Sequence, residues 1–334
     1  MRAVTLDYTT RDLSERSVAE PVLVQPDEVL FRVHEVGICG TDRELARFQF
    51  GYPPPGDAFL IPGHEALGQV LEAGPGASGL RPGDWVTPMI RRACSPPCAS
   101  CRRGRRDLCV TGNYTERGIF GAHGYLSEYA VDRAEDLVRV PEETLDCAIL
   151  IEPLSVVEKA VASALRYHEP EARTALVLGA GPIGILAALV LQRRGLEVSL
   201  HSLEPEDHPR VKIVRDAGIR YGATTADVII EATGSPQAAL AGISGLAPNG
   251  VLCVLGALSL SGDIPLLNLV TENQVVFGSV NASPQAFADA VTDLSRLDRG
   301  ILRRLIRRVG LGTFRDTVLQ PPGEAAKLVH VVSE

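Results

Sequence analysis

The chain has 334 residues, 45% apolar and 22% charged, enough to fill two cores without disulfide staples. Its formal net charge of −8 argues against a nucleic-acid or acidic-membrane partner. No apolar run approaches the roughly 20 residues of a membrane span, and Met1-Arg2-Ala3-Val4 opens no apolar signal region.

Residues 1–90 read as β. Val29 to Val36 alternates, Gly68 to Ala73 is a second short strand, and turns punctuate the region at Pro53-Pro54-Pro55-Gly56, Gly74-Pro75-Gly76 and Arg81-Pro82-Gly83. Many short strands between turns predict a barrel-like β domain. Residues 91–109 form a polar lobe rich in Cys and Arg. Strands return over 119–140, with Gly124 to Val131 alternating. From Ala148 to Leu165 the period is helical, with an interruption expected at Pro153.

Next, strands alternate with helices. Residues 174–178, 197–201, 227–231, 250–255 and 274–278 read as strands, and Pro182–Arg194 and Val211–Ala217 as helices. This order predicts an α/β, doubly wound parallel sheet. Only Ala223 to Ala226 separate a strand near Ile219–Tyr221 from the one at 227, too few for a crossover helix, so one helix is expected to be missing. After 283 come a helix to Leu297, a basic segment from Arg299 to Arg308 and an apolar strand from Lys327 to Val332. This tail is expected to return to the first domain.

Three groups of residues carry chemistry. Gly179-Ala180-Gly181-Pro182-Ile183-Gly184 follows a buried strand and opens a helix, so its backbone can approach a pyrophosphate at a helix N-terminus. At the end of the next strand, Ser202-Leu203-Glu204 offers a carboxylate for the adenosine ribose. No Arg stands at that strand end, so NAD is favoured over NADP. Cys94, Cys98, Cys101 and Cys109 are four thiols at the short spacing of a structural zinc shell. The arginines among them, Arg102, Arg103, Arg105 and Arg106, read as a solvated loop rather than a nucleic-acid patch, given the acidic whole. Finally, Cys39 lies in the glycine-flanked turn Gly37 to Glu44. With His64, Glu65 and Glu152 it makes a set that could hold a zinc with one position open. Such a zinc lowers the pKa of an alcohol ligand. Taken singly, each residue also has an ordinary structural role. Seven cysteines, an odd number, fit a cytoplasmic, reduced protein better than a disulfide scaffold.

In this order, Gly37 to Glu44, Pro62-Gly63-His64-Glu65, the four-Cys lobe, Glu152-Pro153-Leu154 and the glycine motif resemble the zinc-containing medium-chain alcohol/polyol dehydrogenases. Cys39 to Glu44, Glu116-Arg117-Gly118-Ile119, Glu158-Lys159 and Gly278-Ser279-Val280-Asn281 are most similar to the glucose (aldose) 1-dehydrogenase branch. The resemblance implies a GroES-like catalytic β-barrel over 1–155, a Rossmann cofactor domain over 156–282 and a return segment over 283–334. It implies Cys39 and His64 as firm catalytic zinc ligands, with Glu65 and Glu152 as exchanging ones. Thr41 would take the substrate proton, and Glu44 stands where many relatives have a relay His. Glu116 and Asn281 match sugar-side positions, and Asn281 would also contact the cofactor. Gly179, Gly181 and Gly184 would bind the pyrophosphate, while Thr233 and Gly256 would line the cofactor cleft. A homodimer or homotetramer is common in the family.

Departures from the pattern bear on substrate. One extra residue stands between Cys94 and Cys98, and three sugar-contacting polar positions appear as Ile90, Val156 and Thr271. A pocket without those groups would bury glucose hydroxyls unpaired. The expected activity is therefore zinc- and NAD-dependent oxidation of a hydroxyl on a sugar, cyclitol or polyol, with a less polar secondary alcohol as the alternative. The rival of another class is a zinc-stabilised NAD-binding protein without turnover.

Overall fold

Alternating burial builds the first part of the chain into short strands, as where Val29, Phe31, Val33 and Val36 turn inward from one of them. The protein is described by a computed structural model over residues 1–168, 171–256, 264, 266–320 and 323–333. The strands are β1 (Arg2–Asp7), β2 (Asp12–Ser17), β3 (Glu28–Ile38), β4 (Phe59–Leu60), β5 (Glu65–Ala73), β6 (Trp85–Pro88), β7 (Glu116–Arg117), β8 (Gly121–Ala122), β9 (Tyr129–Arg133) and β10 (Leu137–Val140). They continue as β11 (Thr174–Leu178), β12 (Glu197–His201), β13 (Arg220–Tyr221), β14 (Ala226–Glu231), β15 (Leu246–Val254), β16 (Val275–Gly278), β17 (Ile306–Gly310) and β18 (Lys327–Val331). The helices are α1 (Gly40–Ala46), α2 (Ala99–Arg102), α3 (Ile151–Tyr167), α4 (Pro182–Arg193), α5 (Pro209–Asp216), α6 (Pro236–Ser244), α7 (Leu266–Thr271), α8 (Pro284–Leu294), α9 (Arg299–Leu305) and α10 (Phe314–Leu319).

A seven-stranded sheet runs β10-β6-β5-β3-β18-β17, with β9 also paired to β3. Because β18 lies antiparallel to β3, the far end of the chain closes the sheet from which Cys39 and Glu65 emerge. A six-stranded sheet runs β13-β12-β11-β14-β15-β16, parallel at every pair. Its central strands β11 and β14 are buried on both faces, as a sheet covered on both sides requires. Val177 and Ile230 pack with α3, α4 and α8, while Leu176, Leu178 and Ile229 pack with Ile243 of α6. This is the doubly wound α/β arrangement. Residues 222–225 carry β13 into β14 without a helix, and Thr224 Oγ1 lies 2.8 Å from Ser199 Oγ on the way. No helix of the described residues is long and apolar enough to cross a membrane.

Three local readings change. Pro153 does not interrupt the helix. It stands in the first turn of α3, where backbone N–H groups have no intrahelical acceptor to lose. The stretch read as a tight turn from Gly37 to Glu44 contains α1, capped by Cys39: Thr41 N donates to Cys39 Sγ at 3.2 Å, and Cys39 N to Asp42 Oδ2 at 2.8 Å. The alternation from Gly124 to Val131 becomes a strand only from Tyr129, because Tyr125 and Leu126 are spent on backbone bonds to Gly63 and Pro62.

Candidate active site

Two neighbouring strands bring the first ligand group together. Cys39 follows β3, Glu65 opens β5, and Gly37 is paired with Glu65 across the ladder. A Cβ on Gly37 would stand 2.2 Å from Glu65 Oε2, so only glycine leaves room for that carboxylate. Ligand atoms of Cys39, His64 and Glu65 all lie within 4.8 Å of one another. His64 Nε2 is 3.0 Å from Cys39 Sγ, and its Nδ1 is 3.3 Å from Asp42 Oδ1. Neither Nδ1 nor Oδ1 is well enough aligned for a hydrogen bond, and both are buried. Burial opposes a charge on His64, but Cys39 and Asp42 outweigh it and hold the pKa well above the usual value. A thiolate, an imidazole and a carboxylate, with a second carboxylate behind the imidazole, is a donor set that fits zinc. Asp42, which the sequence left unassigned, is thus the buried carboxylate that stands behind His64.

Lys327 is the second residue that sequence reasoning missed. Its Nζ lies 2.6 Å from both oxygens of Glu65, and both side chains are buried. Glu152, expected as a fourth ligand, stands outside the three-residue group. It is close enough that burial and then the charge of Glu65 push its pKa up to about 8. On α1, Thr41 is half-buried and Glu44 is exposed.

The second ligand group is Cys94, Cys98, Cys101 and Cys109. The Cys94–Cys101 and Cys98–Cys109 sulfurs are 3.7 and 4.0 Å apart. A tetrahedron with zinc–sulfur bonds of about 2.3 Å has edges of about 3.8 Å, so these four thiols fit zinc despite the extra residue. All seven cysteines are free. Arg102, Arg103 and Arg105 of this lobe are exposed, as a solvated loop requires, and Arg106 is half-buried. Arg105 pairs with Asp107, and Arg106 pairs with the buried Asp136.

At the dinucleotide motif, a Cβ on Gly184 would meet Gly179 O at 1.9 Å, so α4 packs against β11 only with glycine there. Gly181 caps α4, and a Cβ there would meet open space, the side from which a pyrophosphate can approach. Pro182 and Ile183 begin the helix. Glu231, wholly buried at the end of β14, accepts from Thr233 N at 2.6 Å, Thr233 Oγ1 at 2.5 Å, Gly234 N at 3.0 Å and Gly256 N at 3.3 Å. That carboxylate, also missed in sequence, ties together the two strand ends expected to line the cleft. Glu204 meets a partner the sequence did not suggest: Arg210, from the first turn of α5, reaches it at 2.8 Å. Burial works to raise the Glu204 pKa, but bonds from Ser202 and the charge of Arg210 hold it below the usual value.

The pair expected on the substrate side is joined directly. Asn281 Nδ2 donates to Glu116 Oε1 at 2.6 Å, linking the turn after β16 to β7. Of the three departures, Ile90 is buried in the barrel core, Val156 is half-buried on α3, and Thr271 is exposed with its hydroxyl on Leu267 O at 2.9 Å.

Two family models match the chain in tandem: the alcohol dehydrogenase GroES-like domain over residues 25–142, and the glucose dehydrogenase C-terminus over residues 145–317. Glucose 1-dehydrogenase 1 of Caldivirga maquilingensis is 41% identical over 95% of this chain and 95% of its own length. Glucose 1-dehydrogenase of Methanocella arvoryzae is 38% identical over 91% of this chain and 92% of its own. Among solved structures, Haloferax mediterranei glucose dehydrogenase in complex with NADP, Zn and gluconolactone superposes with a TM-score of 0.90 at 29% identity, covering 100% of both chains. Ligand geometry, paired sheets and these matches agree: the chain belongs to the glucose dehydrogenase branch of the zinc-containing medium-chain alcohol dehydrogenases.

Proposed function

We propose that the protein oxidises a hydroxyl-bearing carbon of a sugar, cyclitol or polyol and passes the hydride to a nicotinamide dinucleotide. The observation that carries this reading is the convergence of Cys39, His64 and Glu65, with His64 backed by Asp42. Zinc bound there supplies a Lewis acid that lowers the pKa of a hydroxyl ligand, and a bound dinucleotide supplies the hydride acceptor. Cys39 and His64 would hold the metal, with Glu65 and Glu152 as further, exchanging ligands. The Thr41 hydroxyl takes the substrate proton, and Glu44 relays it toward solvent. Glu116 and Asn281 hydrogen-bond substrate hydroxyls, and Gly179, Gly181 and Gly184 receive the pyrophosphate. Zinc in the four-thiol lobe serves structure.

A preference for NAD over NADP is part of the proposal. An ionised Glu204 supports it by repelling a 2′-phosphate. Two observations weigh on the other side: Arg210 stands beside Glu204, and the Haloferax mediterranei relative is in complex with NADP. The division at 155 and 282, a cytoplasmic location and a homodimer or homotetramer also belong to the proposal. Seven free thiols support a reducing compartment. The edge strand β16, beside the exposed apolar Leu266, Leu267 and Val270 of α7, supports pairing with a second copy.

A less polar secondary alcohol is the second reading, favoured by Ile90 and Val156. Initial rates of the zinc-loaded protein with NAD and NADP, across aldoses, cyclitols and simple secondary alcohols, test both. Turnover of an aldose or polyol is expected. Turnover of secondary alcohols alone supports the second reading, and no turnover with any member supports a dinucleotide-binding protein without catalysis.

A further inference from the structure

The four-thiol lobe is wired to the cleft through one buried carboxylate. Asp107 lies in the short turn of helix at Arg106–Leu108, between Cys101 and Cys109. Its side chain is wholly shielded from solvent. It accepts from Arg105 at 3.0 and 2.9 Å and pairs with Lys159 Nζ at 2.9 Å. Lys159 comes from α3, and the same Nζ donates to Val280 O at 2.8 Å. The next residue, Asn281, has φ +63°, a left-handed backbone that Asn tolerates better than most residues with a side chain. A second branch starts from the backbone of Asp107. Arg91 Nη1 donates to Asp107 O at 3.2 Å, while Arg91 Nε donates to Glu116 Oε1 at 2.8 Å. Arg91 is buried and lies flat over Tyr114, with its guanidinium carbon 3.8 Å from the ring centre, so its reach is fixed. The branches rejoin where Asn281 Nδ2 meets the same Glu116 oxygen. The chain closes into a ring: Asp107, Lys159, Val280–Asn281, Glu116, Arg91 and back to Asp107.

We propose that Asp107 is a positioning residue for the cleft: its carboxylate, through Lys159 and Val280, sets where Asn281 stands against Glu116, and so sets affinity for substrate and dinucleotide. The inference rests on the reading of Glu116 and Asn281 as cleft residues. A purely structural Asp107 would neutralise Lys159 and Arg105 and affect only stability. The ring predicts a different signature. Asp107→Asn weakens the Lys159 anchor under Val280 without touching the metal ligands, so binding constants change while the chemical step does not.

The test is steady-state kinetics, dinucleotide fluorescence titration and zinc analysis on the full-length, zinc-loaded protein and its variants. Asp107→Asn is expected to raise substrate KM and the dinucleotide Kd each roughly three- to tenfold, with kcat within about twofold, as for a weakened charge-assisted hydrogen bond. Combined with Asn281→Ala, it should add less than about twofold to the effect of Asn281→Ala alone, the non-additivity of residues in one network. Multiplying effects, unchanged KM and Kd, or loss of zinc alongside the change would overturn the proposal. Unchanged KM in both Glu116→Gln and Asn281→Ala would instead overturn the reading of the cleft, and the proposal with it. Should Asp107→Asn not fold, Lys159→Gln tests the same link: a raised dinucleotide Kd is expected, and an unchanged one refutes it.

Discussion

Replacing Asp42 by Asn removes one charge and changes no shape, yet it should cost the catalytic site most of its zinc affinity. In the wild type, Oδ2 accepts the Cys39 N–H at 2.8 Å, and Oδ1 faces His64 Nδ1 at 3.3 Å. A carboxylate there favours the proton on Nδ1 and leaves the Nε2 lone pair, 3.0 Å from Cys39 Sγ, free for metal. An Asn has one acceptor for two tasks. If its oxygen keeps the Cys39 N–H, its NH2 faces Nδ1 and drives the proton to Nε2, the ligating atom. If the amide flips, a donor faces the Cys39 N–H, and a buried bond worth about 1–3 kcal/mol is left unmade. Loss of such an orienting partner typically weakens metal binding 10- to 100-fold, about 1.4–2.8 kcal/mol. Competition against a chromogenic chelator measures this directly. The proton that His64 holds in the metal-free protein also competes with zinc, so the loss should be clearest in alkaline buffer. Zinc binding by Asp42→Asn within twofold of wild type would show that Asp42 does not support the ligand His64.

Three further outcomes follow from buried groups. Lys327→Met leaves Glu65 as an unpaired buried charge, so the metal-free variant should lose roughly 3–5 kcal/mol of stability. Zinc should recover part of that loss, so its addition raises Tm more in the variant than in wild type; an equal rise would show that zinc does not engage Glu65. Glu158, buried between Arg194 and Asp293, has its pKa pushed to about 8, by burial first. A carboxyl with a raised folded pKa favours the fold while protonated. Its contribution therefore fades as pH rises from the unfolded value of about 4.3 toward 8, by at most about 1.4 kcal/mol per pH unit. Thermal melts should show this decline in wild type and much less of it in Glu158→Gln; equal slopes would rule it out. Gly184→Ala puts a Cβ 1.9 Å from Gly179 O, and the forced shift of α4 should weaken dinucleotide binding by roughly tenfold, from overpacking of about 1–3 kcal/mol. Unaltered titration curves would contradict that packing.

What the sequence revealed depended on whether the signal was local. Thr174–Leu178, an apolar run followed by Gly179, and the apolar Val228–Ile230 became the core of the two central strands of the parallel sheet. Four cysteines at short spacing and Gly179-Ala180-Gly181-Pro182-Ile183-Gly184 carry their geometry within a few residues. Helix α1 was hidden because Gly-Thr-Asp-Arg-Glu is polar and short, and its stop depends on tertiary packing of Leu45 and Ala46. Pro153 looked like a breaker because periodicity does not say where the first turn begins. Lys327 and Glu65 are 262 positions apart and announce nothing to each other until β18 pairs with β3. Arg210 was likewise invisible, since the strand-end rule inspects β12 and not the helix that turns back over it. Glu231 read as the polar end of a strand, and nothing local marked it as the acceptor for Thr233, Gly234 and Gly256.

Hydride transfer by this protein should require zinc on Cys39, His64 and Glu65. The most direct measurement follows formation of reduced nicotinamide from the aldose and polyol panel, before chelation, after chelation, and after zinc is restored, beside Cys39→Ser. Turnover should fall to background on chelation, return with zinc and be absent from Cys39→Ser. Full rates in a protein analysed as free of zinc would contradict that requirement.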